Sequence, residues 1–107
     1  MPVLGGPRRF RACLVIAGTM LTAAAHAADP DNGERLARRW CSECHVVASD
    51  QRGPTAEAPP FATIAKQPDL SAAKVALFLL EPHPKMPNMQ LSRSEAADLA
   101  AYIATLK

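Results

Sequence analysis

The sequence predicts a small all-α domain, and three observations carry that prediction. Three stretches place apolar residues at helical spacing behind capping residues. No stretch alternates apolar with polar residues as a half-buried strand does. Proline and glycine pairs punctuate the segments between. The chain has 107 residues, 49% apolar and 21% charged, which suits one globular domain rather than a disordered chain. So small a domain buries little surface and commonly leans on a disulfide, a metal or a cofactor.

The first residues read as a secretory leader rather than as part of the domain. Arg8, Arg9 and Arg11 form a basic start, Ala12 to Ala25 an uncharged apolar run, and Ala25-His26-Ala27 a small-x-small cleavage pattern. The run is shorter than the ~20 residues a membrane span needs. The expected boundaries are a leader over residues 1–27 and a domain over 28–107, with Ala28 as the neighbouring cleavage option. Cys13 would leave with the leader, so the domain keeps two cysteines, Cys41 and Cys44. Three of the twelve basic residues leave too. Nine basic residues against ten acidic ones give −1, where the whole chain is +2. With no basic stripe and few aromatics, nothing points to nucleic acid. No stable membrane insertion is expected once the leader is gone.

The first helix is expected over about 32–41. Asp31 would cap it, Glu34 would be the reciprocal capping-box partner, and Leu36, Ala37, Trp40 and Cys41 would form its inner face. Gly33 in its first turn costs helix stability, which a close helix crossing or a fraying end would explain. Residues 46–67 read as irregular, with Gly53-Pro54 and Pro59-Pro60 as breaks and a short turn at Phe61, Ile64 and Ala65. Ser71 caps the next helix. Its Val75, Leu77, Phe78, Leu79 and Leu80 demand cover on two faces, and Pro82 and Pro84 end it. The clearest helix start is Leu91-Ser92-Arg93-Ser94-Glu95, with Ser92 as cap and Glu95 closing the box. Ala96, Leu99, Tyr102, Ile103 and Leu106 trace its apolar face, and Tyr102 is expected at the crossing of the first and last helices.

The chemistry centres on Cys41-Ser42-Glu43-Cys44-His45. Two thiols at this spacing can add across the two vinyl groups of a haem, and the adjacent histidine then becomes an axial iron ligand. A thioredoxin-like site would need a βαβ context, and a zinc site further Cys or His than the distant His83. A plain disulfide is the remaining rival. His45 would bind through Nε2 while Nδ1–H donates to a loop carbonyl, with Pro59 the candidate and Pro60 next. A sixth ligand must come from a distant segment. A methionine sulfur is soft, favours reduced iron and raises the potential. Met86, between Lys85 and Pro87, is preferred to Met89 and to His83. Lys66, Lys74 and Lys85 either steer an acidic partner or form an ordinary solvated surface.

Taken together, the CxxCH motif after a capped helix, Met86-Pro87-Asn88, and Leu91-Ser92, Glu95, Asp98-Leu99 and Tyr102-Ile103 resemble the class I cytochrome c family, in its small bacterial monohaem branch. The resemblance covers nearly all of residues 29–107. It implies a small cytochrome c fold with three main helices around one haem, covalent through Cys41 and Cys44. It also implies His45 and Met86 as iron ligands, Pro59 orienting the histidine, and Phe61 and Ile64 lining the pocket. Gly33 and Leu99 would meet where the terminal helices cross. The implied role is a periplasmic single-electron carrier between a redox-protein donor and acceptor, or a haem subunit of a larger oxidoreductase, and not itself an enzyme. A haem-based sensor or catalytic haem with an open sixth position is the alternative. Two positions depart from the family pattern: Val46 follows the histidine where many members have glycine, and Ala37 stands where an aromatic is usual.

Overall fold

A computed structural model describes residues 1–6, 26–52, 58–81 and 84–107. Most of the segment expected as a leader, with Cys13, lies outside the described residues, as do Gly53-Pro54, Pro82 and His83. Four helices follow in order: α1 (Pro30–Trp40), α2 (Phe61–Ala65), α3 (Ala72–Leu80) and α4 (Arg93–Ala104), with no strand among the described residues. The all-α expectation therefore holds, with three main helices and the short turn at 61–65. Among the described residues, no helix is long and apolar enough to cross a membrane.

The start of α1 corrects the sequence reading. Asp29, not Asp31, is the cap: its Oδ1 accepts from the backbone N–H of Asp31 at 2.9 Å and of Asn32 at 3.1 Å. The reason is Pro30, which has no N–H to satisfy and a φ already suited to the first helical position, so the helix begins there. Glu34 is thereby freed from capping and pairs with Arg38 one turn on, at 2.7 Å. The other two caps match the expectation. Ser71 Oγ accepts from Lys74 N–H at 3.2 Å. Ser92 Oγ accepts from Glu95 N–H at 3.1 Å while Glu95 Oε2 accepts from Ser92 N–H at 2.8 Å, a complete capping box.

Helix α4 is the hub, since α1, α2 and α3 all pack on it. Ala96, Leu99, Ala100, Tyr102 and Ile103 bury its inner face; Ala37 and Cys41 from α1 and its cap, Phe61 and Ala65 from α2, and Val75 from α3 are buried too. Gly33 is the close-crossing position. A Cβ there would collide with the Asp98 carbonyl oxygen and lie 2.8 Å from Tyr102 Cβ, so only glycine lets α1 approach the α4 backbone. Asp98 fastens the same crossing from outside the core. Its Oδ1 accepts from Asp29 N–H at 2.7 Å and its Oδ2 from Asn32 Nδ2 at 2.8 Å.

The core of protein atoms is thin. The largest fully buried side chains are only Leu99 and Val47. Helix α3 shows why: Val75 is buried, yet Leu77 is 60%, Phe78 47% and Leu80 40% exposed. The second apolar face expected of this helix is present, but protein covers little of it. Trp40 is half exposed at the end of α1, with the Arg39 guanidinium 4.8 Å from its ring centre.

Candidate haem-attachment site

The site grows out of the end of α1. Cys41 is the C-cap residue, its N–H donating to the Ala37 carbonyl at 2.9 Å, and its side chain turns into the core. Its own carbonyl then accepts two bonds, from Cys44 N–H at 3.2 Å and His45 N–H at 2.8 Å. These close a tight turn that holds the two cysteines and the histidine together. Both thiols are free, Cys41 buried and Cys44 exposed. Burial pushes the Cys41 thiol up to about 11, so it stays neutral at ordinary pH. Ser42 Oγ donates to the Arg38 carbonyl at 2.7 Å, one more link between the turn and the helix it leaves.

His45 is positioned from outside this turn by the segment leading into α2. Its Nδ1 lies 2.6 Å from the Pro59 carbonyl oxygen. A carbonyl only accepts, so the proton sits on Nδ1 and donates. No described residue bonds Nε2, which is left with its lone pair available. Pro60 serves a different purpose: its carbonyl starts α2, accepting from Thr63 and Ile64 N–H at 3.0 Å each. Phe61, buried at the start of α2, packs its ring 5.1 Å from the imidazole at a 55° tilt. Two backbone bonds lace the strands of this loop together, Phe61 N–H to Val46 O at 2.9 Å and Ala58 N–H to Cys44 O at 3.3 Å.

The structure thus gathers Cys41, Cys44, His45, Pro59 and Phe61 into one cluster, with Ile64 half-buried against the core beside Phe61. Met86 stands half-buried in the loop that joins α3 to α4, and Met89 is half-buried nearer the start of α4. That loop turns into the helix through Gln90, whose φ of 52° is left-handed; its N–H donates to Asn88 Oδ1 at 2.9 Å. Lys66, Lys74 and Lys85 are exposed, and Lys74 Nζ donates to the Asp69 carbonyl at 2.9 Å.

Three residues support the cluster, and of these the sequence singled out only Tyr102, as a residue of the helix crossing. Gln51 binds the backbone of the attachment turn with both ends of its amide. Tyr102 Oη donates to Val47 O at 2.6 Å, tying the loop after His45 to α4; burial raises its pKa. Asp50 takes a 2.8 Å ion pair from Arg38, whose hydrogen bond and charge hold the Asp50 carboxyl below the usual carboxylate range and raise the Arg38 guanidinium. The loop partners carry no periodic signal.

The residues present fit a covalent haem. Two thiols stand within one turn of a histidine whose Nε2 is free and whose orientation is fixed through Nδ1, and an apolar face on α3 lacks protein cover. A zinc site fits less well, because the described residues hold no group of three His, Cys, Asp or Glu side chains able to grip an ion. The fold and the cluster together are those of a small c-type cytochrome. Comparison with known proteins agrees. A family model described as cytochrome c oxidase, cbb3-type, subunit III, matches residues 28–103. The chain is also 53% identical over 95 residues to a cytochrome c-552 of Bradyrhizobium diazoefficiens, covering 89% of this chain and 91% of that protein. No solved structure matches. The chain belongs to the class I c-type cytochromes. As a member it is a periplasmic electron carrier rather than a catalyst.

Proposed function

We propose that this chain carries single electrons between redox proteins through one haem c, joined by thioethers to Cys41 and Cys44 and ligated by His45 and Met86. When bound, the haem iron supplies one-electron chemistry by alternating between its ferrous and ferric states. The chain's own residues would do the rest. Cys41 and Cys44 fix the group covalently, and Pro59 keeps His45 in the tautomer that presents Nε2. Phe61 holds the imidazole plane, Ile64 lines the pocket and Met86 supplies a soft thioether that favours the reduced form. The macrocycle would cover the exposed apolar side chain of Leu77. We also assign residues 1–27 to a leader removed on export, leaving 28–107 as the working domain. The matched family description names subunit III of a cbb3-type cytochrome c oxidase, which points to a larger oxidoreductase as donor, acceptor or host.

The observation that carries this reading is the His45 ring, locked to the Pro59 carbonyl at 2.6 Å with Nε2 unpaired beside two thiols. Its test is the purified exported chain. Expected are a mass equal to residues 28–107 plus one haem and a reduced spectrum of a six-coordinate, methionine-ligated c-haem. Carbon monoxide should leave the resting ferrous protein unchanged. Met86→Ala should lower the potential and alter the spectrum. A Met86→Ala protein with an unaltered spectrum would refute the sixth-ligand assignment, and rapid carbon monoxide binding by the wild type would favour an open iron site.

A further inference from the structure

Removing the CxxCH residues, Pro59 and the helix crossing from view leaves one polar side chain aimed wholly at the attachment turn. Gln51 is half-buried in the loop after His45, its own N–H donating to the Ala48 carbonyl at 3.2 Å. Its Oε1 accepts from Val47 N–H at 2.8 Å. Its Nε2 donates to the Ser42 carbonyl at 3.1 Å and to the His45 carbonyl at 3.0 Å. One neutral amide therefore uses both N–H groups and its oxygen on backbone within the segment 42–47. Among the described residues, neither the Ser42 nor the His45 carbonyl has another partner. A partly buried carbonyl left unpaired loses its hydration with nothing in exchange, so these bonds have consequences beyond their own weak net strength.

We propose that Gln51 is a positioning residue for His45, setting the orientation of the imidazole toward the iron through the histidine's backbone. The proposal rests on the haem-carrier reading above. Ring direction depends on two anchors: the backbone from which the side chain departs, and the Pro59 carbonyl at Nδ1. The His45 N–H is held by the Cys41 carbonyl at 2.8 Å, inside the turn itself. The far side of the same residue, its carbonyl, is held among the described residues only by Gln51. Without that amide the peptide joining His45 to Val46 can rotate, and the Val47 N–H loses its acceptor together with it. The loop's other two ties act elsewhere. Tyr102 grips Val47 O from α4, and Arg38 grips Asp50 at the surface; neither touches His45. Gln51 thus differs in kind from a general loop brace.

The test compares holo proteins. Gln51→Met keeps the shape and removes all three bonds. Gln51→Glu keeps the acceptor for Val47 N–H and removes the two donors to Ser42 and His45. Asp50→Asn and Tyr102→Phe loosen the same loop without touching His45. Three quantities are read: the reduction potential, the haem-methyl proton shifts of the ferric protein, which follow the plane of the axial histidine, and Val47 amide exchange. Gln51→Met and Gln51→Glu should both move the methyl shifts, Gln51→Met should also move the potential, and both controls should keep wild-type values. Val47 exchange should accelerate by up to about tenfold in Gln51→Met and much less in Gln51→Glu, the factor of one typical hydrogen bond. If Gln51→Glu keeps wild-type methyl shifts, or if the two controls shift them equally, Gln51 is only a loop brace and the proposal fails. If Gln51→Met does not mature, Gln51→Glu alone decides by the same shifts. A wild-type chain that carries no covalent haem overturns the carrier reading itself, and this proposal with it.

Discussion

Replacing Gly33 with alanine should loosen the whole domain, although in an exposed helix the same change stabilises. Alanine is favoured over glycine in a helix interior by about 1 kcal/mol, so local propensity alone predicts a gain. The structure opposes it. The added Cβ would lie 2.6 Å from the Asp98 carbonyl carbon and 2.8 Å from Tyr102 Cβ, and closer still to the Asp98 oxygen, whereas ordinary contacts begin at 3.4 Å. Two of these three neighbours are backbone, which no rotamer change moves aside. Helices α1 and α4 must therefore separate by about an ångström, an overpacking strain of roughly 1–3 kcal/mol. Separation also stretches the two Asp98 bonds, at 2.7 and 2.8 Å, that tie Asp29 and Asn32 to α4. Each is worth about 1 kcal/mol. Set against the gain in propensity, the net loss is about 2–4 kcal/mol. For a domain of this size that is a fall in Tm of roughly 10–30 °C. The assay is urea unfolding of the holo protein followed by circular dichroism, with a lower midpoint at unchanged slope as the expected result. A Gly33→Ala protein as stable as the wild type, or more stable, would refute the close-crossing account.

Four further outcomes follow from the same contacts. Asp98→Ala removes two hydrogen bonds at the crossing without adding bulk, and should cost about 1–2 kcal/mol in the same unfolding assay. Ser92→Ala breaks the capping box of the hub helix and should cost about 1 kcal/mol, with Ser92→Thr retaining most of the stability. Tyr102 has a raised pKa in the folded chain, so the folded state holds its proton longer than the unfolded one. Its contribution is complete below about pH 10 and disappears as pH rises through the folded value; alkaline unfolding profiles of wild type and Tyr102→Phe should converge there. The Asp50 carboxyl is shifted the other way by Arg38. The tie between α1 and the loop after His45 is then complete above the usual carboxylate range and lost as pH falls through the lowered value. Asp50→Asn should remove that acid dependence while leaving neutral-pH stability nearly unchanged.

What could be read from the sequence and what could not divides along a physical line. Elements defined by short-range chemistry were legible. The Ser92–Glu95 box, the Ser71 cap and the CxxCH turn each depend on residues within four positions of one another. The start of α1 was misplaced by two residues, because Asp31-x-x-Glu34 looks like a capping box while Pro30 quietly sets the first helical position. Gly33 carried two meanings until Asp98 was seen across from it. Gln51 and Asp98 were not legible as supports. Their partners are mostly backbone groups of other segments, and a side chain that closes on distant backbone leaves no periodic trace in the chain.

The uneven core makes sense once the two ends of the fold are compared. At the α1–α4 crossing, packing is so close that one methyl group is too many, and the hydrogen bonds Asp98 accepts from Asp29 and Asn32 reinforce it. On α3, by contrast, Leu77, Phe78 and Leu80 remain largely exposed. A chain selected only for its own burial would cover more of these side chains. The asymmetry is what a domain built to complete its core around a flat apolar group requires. The protein concentrates its rigid contacts where the start of α1 crosses α4 and leaves apolar surface partly exposed on α3. The same division accounts for the polar side chains around His45. The Pro59 carbonyl, the Gln51 amide and the Cys41 carbonyl hold the histidine from three directions, so that among the described residues its Nε2 has no partner, and that is the nitrogen that would meet the iron.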